Sequence, residues 1–259
     1  MATILECTGV TKAYGGLLAV NDLSFSIEAG EVFAIVGPNG AGKTTLFDTI
    51  SGLARPTSGT ITFAGDQIDH QSPHEICRRG LARTFQTTVS FASQTVLQNA
   101  LVGAVFGRSG NGRAALRFDR AAVAKALDAL ELCGLVGKQA ASTATLPILD
   151  RKRLMLATAL ATEPKLLLLD EPVGGLNARE RGELVELIRR VSESGVTVLM
   201  IEHVMKAVQV LAGRMLVLHH GSKIAEGSPA NVLRDAKVVE VYLGGAGAGL
   251  TTAQTGQER

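Results

Sequence analysis

Gly37-Pro38-Asn39-Gly40-Ala41-Gly42-Lys43-Thr44 fills every fixed place of the phosphate-loop pattern G-x-x-x-x-G-K-[ST]. Before it, Val32-Phe33-Ala34-Ile35-Val36 has the length and apolar character of a buried strand, and after it Thr45-Leu46-Phe47-Asp48-Thr49-Ile50 continues as a helix. A Gly-rich turn can match such a pattern by chance, but the flanking strand and helix supply the context that the motif requires. The glycines at 37, 40 and 42 let consecutive backbone N–H groups curl around phosphate oxygens at a helix N-terminus, whose dipole favours negative charge. Lys43 would reach the β- and γ-phosphates of a nucleotide, and the Thr44 hydroxyl would ligate Mg²⁺. The expected nucleotide contacts are therefore Gly37, Pro38, Asn39, Gly40, Ala41, Gly42, Lys43, Thr44 and the adjoining Thr45.

The rest of the composition bounds what else the chain can be. At 259 residues it has ample material for one large α/β unit with a subdomain. A net charge of +2 with 19% charged residues carries no excess that would favour nucleic acid or an anionic membrane surface. Although 46% of the residues are hydrophobic, no apolar run approaches the roughly 20 residues that span a bilayer. Met1-Ala2-Thr3-Ile4-Leu5-Glu6 lacks the basic and apolar regions of a signal peptide. Cys7, Cys77 and Cys133 are few and widely spaced, which suits reduced thiols in the cytoplasm. Any membrane role must come through a partner.

From Ile4 to Ile27 the pattern reads as short strands, Leu23, Phe25 and Ile27 alternating with Ser24 and Ser26, as in an antiparallel layer with one solvated face. Arg55-Pro56-Thr57-Ser58-Gly59 is a turn cluster before a further strand, Thr60 to Phe63. Between about 87 and 161 the composition shifts toward Ala and Leu, broken at Gly107 to Gly112, which predicts an inserted helical subdomain; Val123, Leu127 and Leu130 share a face there. Leu166 to Leu169 is a second buried strand, followed by a helix with Leu184, Leu187, Ile188 and Val191 on one stripe, and Val196 to Ile201 is a third strand. The predicted fold class is α/β, a P-loop NTPase core on a mostly parallel sheet, with an antiparallel β subdomain and the helical insertion. The tail 244–259 has little to bury and is expected to be flexible.

Ligands bind such sheets at the carboxyl ends of their strands, and several side chains with useful chemistry fall there. Asp170 and Glu171 close the Leu166 to Leu169 strand, where an aspartate can hold the Mg²⁺ shell and a glutamate can polarise an attacking water. Glu202-His203 follows Ile201, so the imidazole of His203 stands on the same edge, able to sense a γ-phosphate. Gln86 would close the strand Ala82 to Phe85, its amide either a Mg²⁺ ligand or a water-positioning group. Tyr14 either stacks on a purine or is an ordinary core tyrosine.

Taken in order, the phosphate loop at 37–44, Gln86, Leu166-Leu167-Leu168-Leu169-Asp170-Glu171-Pro172, Gly174-Gly175-Leu176-Asn177 and His203 resemble the ordered motifs of ABC transporter ATPases over 4–243, read as one ATPase domain, 1–243. The resemblance implies that Tyr14 stacks on adenine, that Lys43 and the loop amides bind the phosphates of ATP, and that Thr44, Gln86 and Asp170 serve Mg²⁺. It also makes Glu171 the catalytic carboxylate and His203 the switch histidine. Asn177 stands where many members have an aspartate. Where the family usually reads Leu-Ser-Gly-Gly-Gln, this chain reads Leu146-Pro147-Ile148-Leu149-Asp150 and then Arg151-Lys152-Arg153, with a helix expected from Leu154 to Ala161. Pro147 lacks the hydroxyl and the N–H, and Leu149 adds bulk where close backbone approach is expected.

Arg79-Gly80-Leu81-Ala82-Arg83-Thr84-Phe85-Gln86 and Val238-Val239-Glu240-Val241-Tyr242-Leu243-Gly244 are similar to the branched-chain amino acid importer ATPases, the G-type of their two ATP-binding subunits. That implies an unlike second ATPase, two membrane permease subunits and, indirectly, an external substrate-binding protein, with this chain peripheral on the cytoplasmic face of the inner membrane and no nucleic acid partner. Importers of urea or short amides and lipopolysaccharide exporters are the competing transport readings. A non-transport ABC ATPase acting on nucleic acid is the competitor of a different class, and it lacks the coiled coil or duplicated domain it would need here.

Overall fold

The computed structural model describes residues 2–86, 90–107 and 120–244. It opens on a hairpin of β1 (Thr3–Tyr14) and β2 (Leu17–Glu28), followed by β3 (Val32–Val36), α1 (Lys43–Ile50), β4 (Ser58–Phe63), β5 (Asp66–Gln67), α2 (Pro73–Arg79) and β6 (Leu81–Arg83). Helices α3 (Val96–Phe106), α4 (Arg120–Leu132) and α5 (Ile148–Leu160) come next, then β7 (Leu166–Asp170), α6 (Ala178–Glu193), β8 (Thr197–Ile201) and α7 (Met205–Leu211). The hairpin β9 (Arg214–His219) and β10 (Ser222–Gly227) leads to α8 (Pro229–Val232) and α9 (Ala236–Gly244).

Two sheets form. One is antiparallel, in the order β2-β1-β4-β5; the other runs β10-β9-β3-β8-β7-β6 and is parallel apart from the β10–β9 pairing. The central strands are apolar without interruption because both of their faces are covered. Since side chains alternate, Phe33, Ile35, Leu166, Leu168, Leu199 and Ile201 point into one core, shared with Leu5, Val10, Phe25, Ile27, Ile61 and Phe63 of the antiparallel layer and with Leu46 and Phe47 of α1. Ala34, Val36, Leu167, Leu169, Val198 and Met200 point the other way, onto Leu184, Leu187, Ile188 and Val191 of α6 and Val208 of α7. The sheet is thus the wall between two cores, and its strands end in step at one edge.

Four local readings need correction. The segment 4–27 is not a set of short strands: β1 and β2 have 12 residues each, and register shifts around Cys7 to Ala13, with Gly9 at φ 59, interrupt the alternation that would have shown their length. On α4 the buried stripe is Ala122, Ala126, Ala129 and Leu130, while Leu127 is left exposed, because the small side chains suit close helix packing. Helix α5 begins at Ile148, not at Leu154: Pro147 stands at its N-cap and Leu149 turns into the core. Strand β6 stops at Arg83, so Gln86 lies three residues beyond it on the outgoing loop. Residues 87–89, most of the break at 107–112 and the tail 245–259 lie outside the described residues.

Helices α3, α4 and α5 pack on one another. The backbones of α3 and α5 come so close that a Cβ on Gly103 would lie 2.0 Å from the carbonyl oxygen of Thr158. Among the described residues no helix is long and apolar enough to cross a membrane.

Candidate active site

The loop from Gly37 to Gly42 leaves β3 and feeds the N-terminus of α1, which places it at the carboxyl edge of the sheet. Only glycine fits at two of its positions. Gly37 has φ 152 and a Cβ there would be 2.1 Å from the Leu218 carbonyl oxygen; Gly42 has φ 99 and its Cβ would be 2.0 Å from that of Ala19. The loop is therefore wedged between β9 and β2, and its curl is imposed by packing. A cleft of about 550 Å³ opens above it, lined by Leu17, Leu18 and Ala19, by Asn39 to Thr45, and by Gln86, Glu171 and His220. The Lys43 ammonium donates to the carbonyl oxygens of Gly37 at 2.7 Å and Pro38 at 2.9 Å. Burial pushes its pKa below the usual lysine value, against the pull of Glu171 and Asp170.

Glu171 sits at φ 47, a left-handed conformation that a non-glycine residue seldom adopts. Its N–H donates to the Ile201 carbonyl at 3.0 Å, which pins the residue to the end of β8. The carboxylate accepts a hydrogen bond from Gln86 Nε2 at 2.7 Å and stands 3.6 Å from His203 Nδ1. Three residues from three separate loops thus meet at Glu171 Oε2 beside the phosphate loop. A carboxylate so held is placed to take a proton from a water, with an amide and an imidazole at hand to orient it.

Beneath lie Asp170, which the sequence pointed to, and charged residues that it did not. Asp170 is buried, and its Oδ2 accepts from the Arg83 guanidinium at 3.2 Å. Burial raises the Asp170 carboxyl above the ordinary aspartate value; Arg83 pulls it back, while Glu171 and Asp48 push it further up. Arg83 also donates to Asp48 Oδ1 at 2.7 Å and Ser51 Oγ at 3.0 Å. Glu202 is completely buried; its Oε1 accepts the Val173 N–H and its Oε2 the N–H groups of His203 and Val204, each at 3.0 Å. Lys152 of α5 reaches the Glu171 carbonyl at 3.4 Å, and burial lowers its pKa against the pull of Glu202 and Glu171. Nothing local in the sequence separates Arg83, Lys152 and Glu202 from surface charges.

Tyr14 is at the tip of the β1–β2 hairpin, paired with Leu17, half exposed, with the Lys12 ammonium 4.7 Å from its ring centre. It is not a core tyrosine, and it stands next to the cleft instead of among its lining residues. Asn177 caps α6: its Oδ1 accepts the Glu180 N–H and Glu180 Oε2 accepts the Asn177 N–H, each at 3.0 Å. That reciprocal cap was legible as Asn177 followed three residues later by Glu180. At the degenerate loop, Leu149 is buried and Ile148 is the exposed one, so the outward bulk sits one residue earlier than expected. Asp150 is buried against Lys138 and Arg153.

Residues 20–174 match the family described as ABC transporter. The chain belongs to this family. Residues 222–248 also match the family described as branched-chain amino acid ATP-binding cassette transporter. The high-affinity branched-chain amino acid transport ATP-binding protein BraF of Pseudomonas aeruginosa is 38% identical, over 94% of this chain and 98% of its own length. The LivG proteins of Salmonella typhimurium and Escherichia coli K12, which carry the same description, are 36% and 35% identical over the same shares. Among solved structures, the ADP conformation of MJ1267, an ATP-binding cassette of an ABC transporter, superposes with a TM-score of 0.84 at 31% identity, covering 94% of this chain and all of that one. A nucleotide-free ATP-binding cassette from an ABC transporter gives 0.83 at 30% identity, covering 93% and 99%. The ABC fold and the ATPase class of the chain are thereby shown.

Proposed function

We propose that this chain is the ATP-hydrolysing subunit of an importer of branched-chain or related hydrophobic amino acids. The meeting of Gln86 and His203 at Glu171, beside the loop 37–44, carries the ATPase part of this reading. The match at 222–248 and the relatives at 35–38% identity support the cargo class. In this reading residues 1–243 act as one ABC ATPase domain, with about 87–161 as its helical subdomain and 244–259 as a tail outside it. Tyr14 stacks on adenine, and Gly37 to Thr45 with Lys43 hold the phosphates.

Thr44, Gln86 and Asp170 offer a hydroxyl, an amide carbonyl and a carboxylate, all hard oxygen donors of the kind Mg²⁺ takes. The chemistry of the set fits: Gln86 spends its amide nitrogen on Glu171, which leaves its carbonyl free, and Arg83 engages Asp170 Oδ2, which leaves Oδ1. When bound with ATP, Mg²⁺ neutralises charge that develops on the phosphates. Glu171 accepts the proton of the attacking water, Gln86 and His203 orient that water, and Lys43 holds the phosphates in line. Replacing Glu171 by Gln should cost on the order of 10²- to 10⁴-fold in turnover.

The partners in this reading are an unlike second ATPase and two permease subunits at the cytoplasmic face of the inner membrane, with an external substrate-binding protein acting through the permeases. An apolar cleft of about 380 Å³, whose walls include Leu53, Phe85, Val102, Phe106 and Met155, suits an inserted apolar permease segment, and Phe85 in its wall is the chain neighbour of Gln86. The test is to purify the chain with whatever accompanies it from gently solubilised membranes and to measure ATPase activity with the external binding protein. Recovery of an unlike ATPase and stimulation by leucine, isoleucine or valine are expected. Absence of stimulation by any of them, with stimulation by urea or an amide, would overturn the cargo class.

The loop 146–150 favours an asymmetric pair. Pro147 has no N–H and no hydroxyl to offer a phosphate, and the exposed Ile148 occupies the surface beside it. This chain then supplies the competent phosphate loop and catalytic glutamate, the partner supplies an intact Leu-Ser-Gly-Gly-Gln-type loop across that site, and the reciprocal site, which faces 146–150 of this chain, turns over poorly. Equal loss of turnover from Glu171→Gln and from the equivalent change in the partner would sink this idea.

A further inference from the structure

We propose that Arg83 is a positioning residue for the metal-bearing aspartate, clamping Asp170 to the helix that follows the phosphate loop. The inference rests on reading Asp170 as that aspartate. The Arg83 side chain is only 6% exposed, as is that of Asp170. One arm of the guanidinium donates to Asp48 Oδ1 in α1 and to Ser51 Oγ at its C-cap, the other to Asp170 Oδ2 at the end of β7. The guanidinium carbon lies 5.5 Å from the ring centre of Phe47 and 5.0 Å from that of Phe85, so the flat fork rests against two aromatic rings.

A packing role alone does not account for this arrangement. Buried ion networks seldom stabilise a fold more than apolar residues of the same volume would, and here Arg83 Nε is buried without a hydrogen-bond partner. An apolar side chain between Phe47 and Phe85 would avoid that cost. What the guanidinium adds is directional: it engages Oδ2, which restricts the rotation of the Asp170 carboxylate and leaves Oδ1 outside the ion pair at the end of β7. Lysine cannot reproduce it, because a single ammonium cannot span Asp48, Ser51 and Asp170 in one plane. Arg83 also lines the apolar cleft between Leu53 and Met155, so a shift of β6 would be felt at Asp170 through one side chain.

The test uses the purified full chain and a fluorescent ATP analogue. Binding is measured in EDTA and across a Mg²⁺ titration for the wild type, Arg83→Lys, Asp48→Asn and Asp170→Asn. Arg83→Lys is expected to raise the Mg²⁺ concentration at half-maximal enhancement by roughly tenfold, the scale of one charge-assisted hydrogen bond, while binding in EDTA stays within about twofold. Asp48→Asn, at a residue that does not line the cleft above the phosphate loop, should move the same midpoint in the same direction by less. A midpoint unchanged in Arg83→Lys but shifted in Asp170→Asn would overturn the role of Arg83 alone. A midpoint unchanged in Asp170→Asn would overturn the metal assignment and the proposal with it. Equal losses with and without Mg²⁺ would mark Arg83 as structural and also overturn it.

Discussion

Glu202 Oε1 accepts the N–H of Val173 at 3.0 Å, so the buried residue before His203 is tied directly to the loop that follows Glu171. Its other oxygen accepts from His203 and Val204, which makes one carboxylate the common anchor of both loops that deliver proton-handling groups to the cleft. Glu202→Gln keeps the shape but places an NH₂ group against an N–H donor whichever way the amide turns. The expected cost is about 1–3 kcal/mol of stability, the scale of leaving a buried polar group unpaired. Because Glu171 and His203 lose their shared anchor, turnover should fall while nucleotide binding in EDTA is kept. Chemical denaturation, nucleotide binding and steady-state kinetics check the three statements separately.

Gly103→Ala adds one methyl at a site far from the phosphate loop, yet the methyl would meet the Thr158 carbonyl oxygen at 2.0 Å. Helix α3 must move away from α5, and overpacking of this kind costs typically about 1–3 kcal/mol. A lower thermal midpoint is the expected outcome. Ala104→Gly, one position along the same helix, removes a buried methyl besides its cost of about 1 kcal/mol in helix propensity, and so serves as the comparison in which space is opened instead of filled.

The sheet and the loop 37–44 were legible because their signals are local: an apolar run of strand length, a helix register, glycines at fixed spacing. Asp170, Glu171 and His203 could be named because strand ends on a parallel sheet converge whatever lies between them, whereas Gln86, on the loop beyond β6, rested on the order of the family motifs. Arg83, Lys152 and Glu202 were not legible, since their roles depend on burial and on partners distant in the chain; Arg83 and Asp170 are 87 residues apart. Strand length in β1 and β2 failed for a different reason. Register shifts move side chains from one face to the other, so a period of two is lost exactly where the strand continues.

Cys133 lies under the helical layer, and burial pushes its thiol up to about 12, with Arg153 and Arg190 drawing it slightly down; Cys7 is raised further by burial, with Glu6 adding to it. Both thiols stay protonated in the folded chain while an unfolded chain ionises near its ordinary value of about 8.5. The unfolded state therefore binds fewer protons above that point, and stability must fall as pH rises through the window from about 8.5 to 12. Urea unfolding at a series of alkaline pH values should show this slope, and Cys133→Ala should make it shallower. In the native protein at pH 8, a thiol reagent should label the part-buried Cys77 slowly and spare the other two.

Restoring the loop 146–150 toward the family pattern separates its outward from its inward residues. Leu149 is 8% exposed and belongs to the core beneath the helices, whereas Ile148 is 45% exposed. Pro147→Ser with Ile148→Gly should therefore leave the thermal midpoint within a few degrees, because serine is a better N-cap than proline and offsets much of the cost of a glycine in the first turn of α5. Leu149→Gly removes a buried side chain as well as adding helix-breaking freedom, and should cost about 3–6 kcal/mol. If the reciprocal site is poor because of what Pro147 and Ile148 present, the first pair of changes should raise turnover of the assembled complex carrying a disabled Glu171. Unchanged turnover in that complex, with the fold intact, would place the cause of the asymmetry outside this loop.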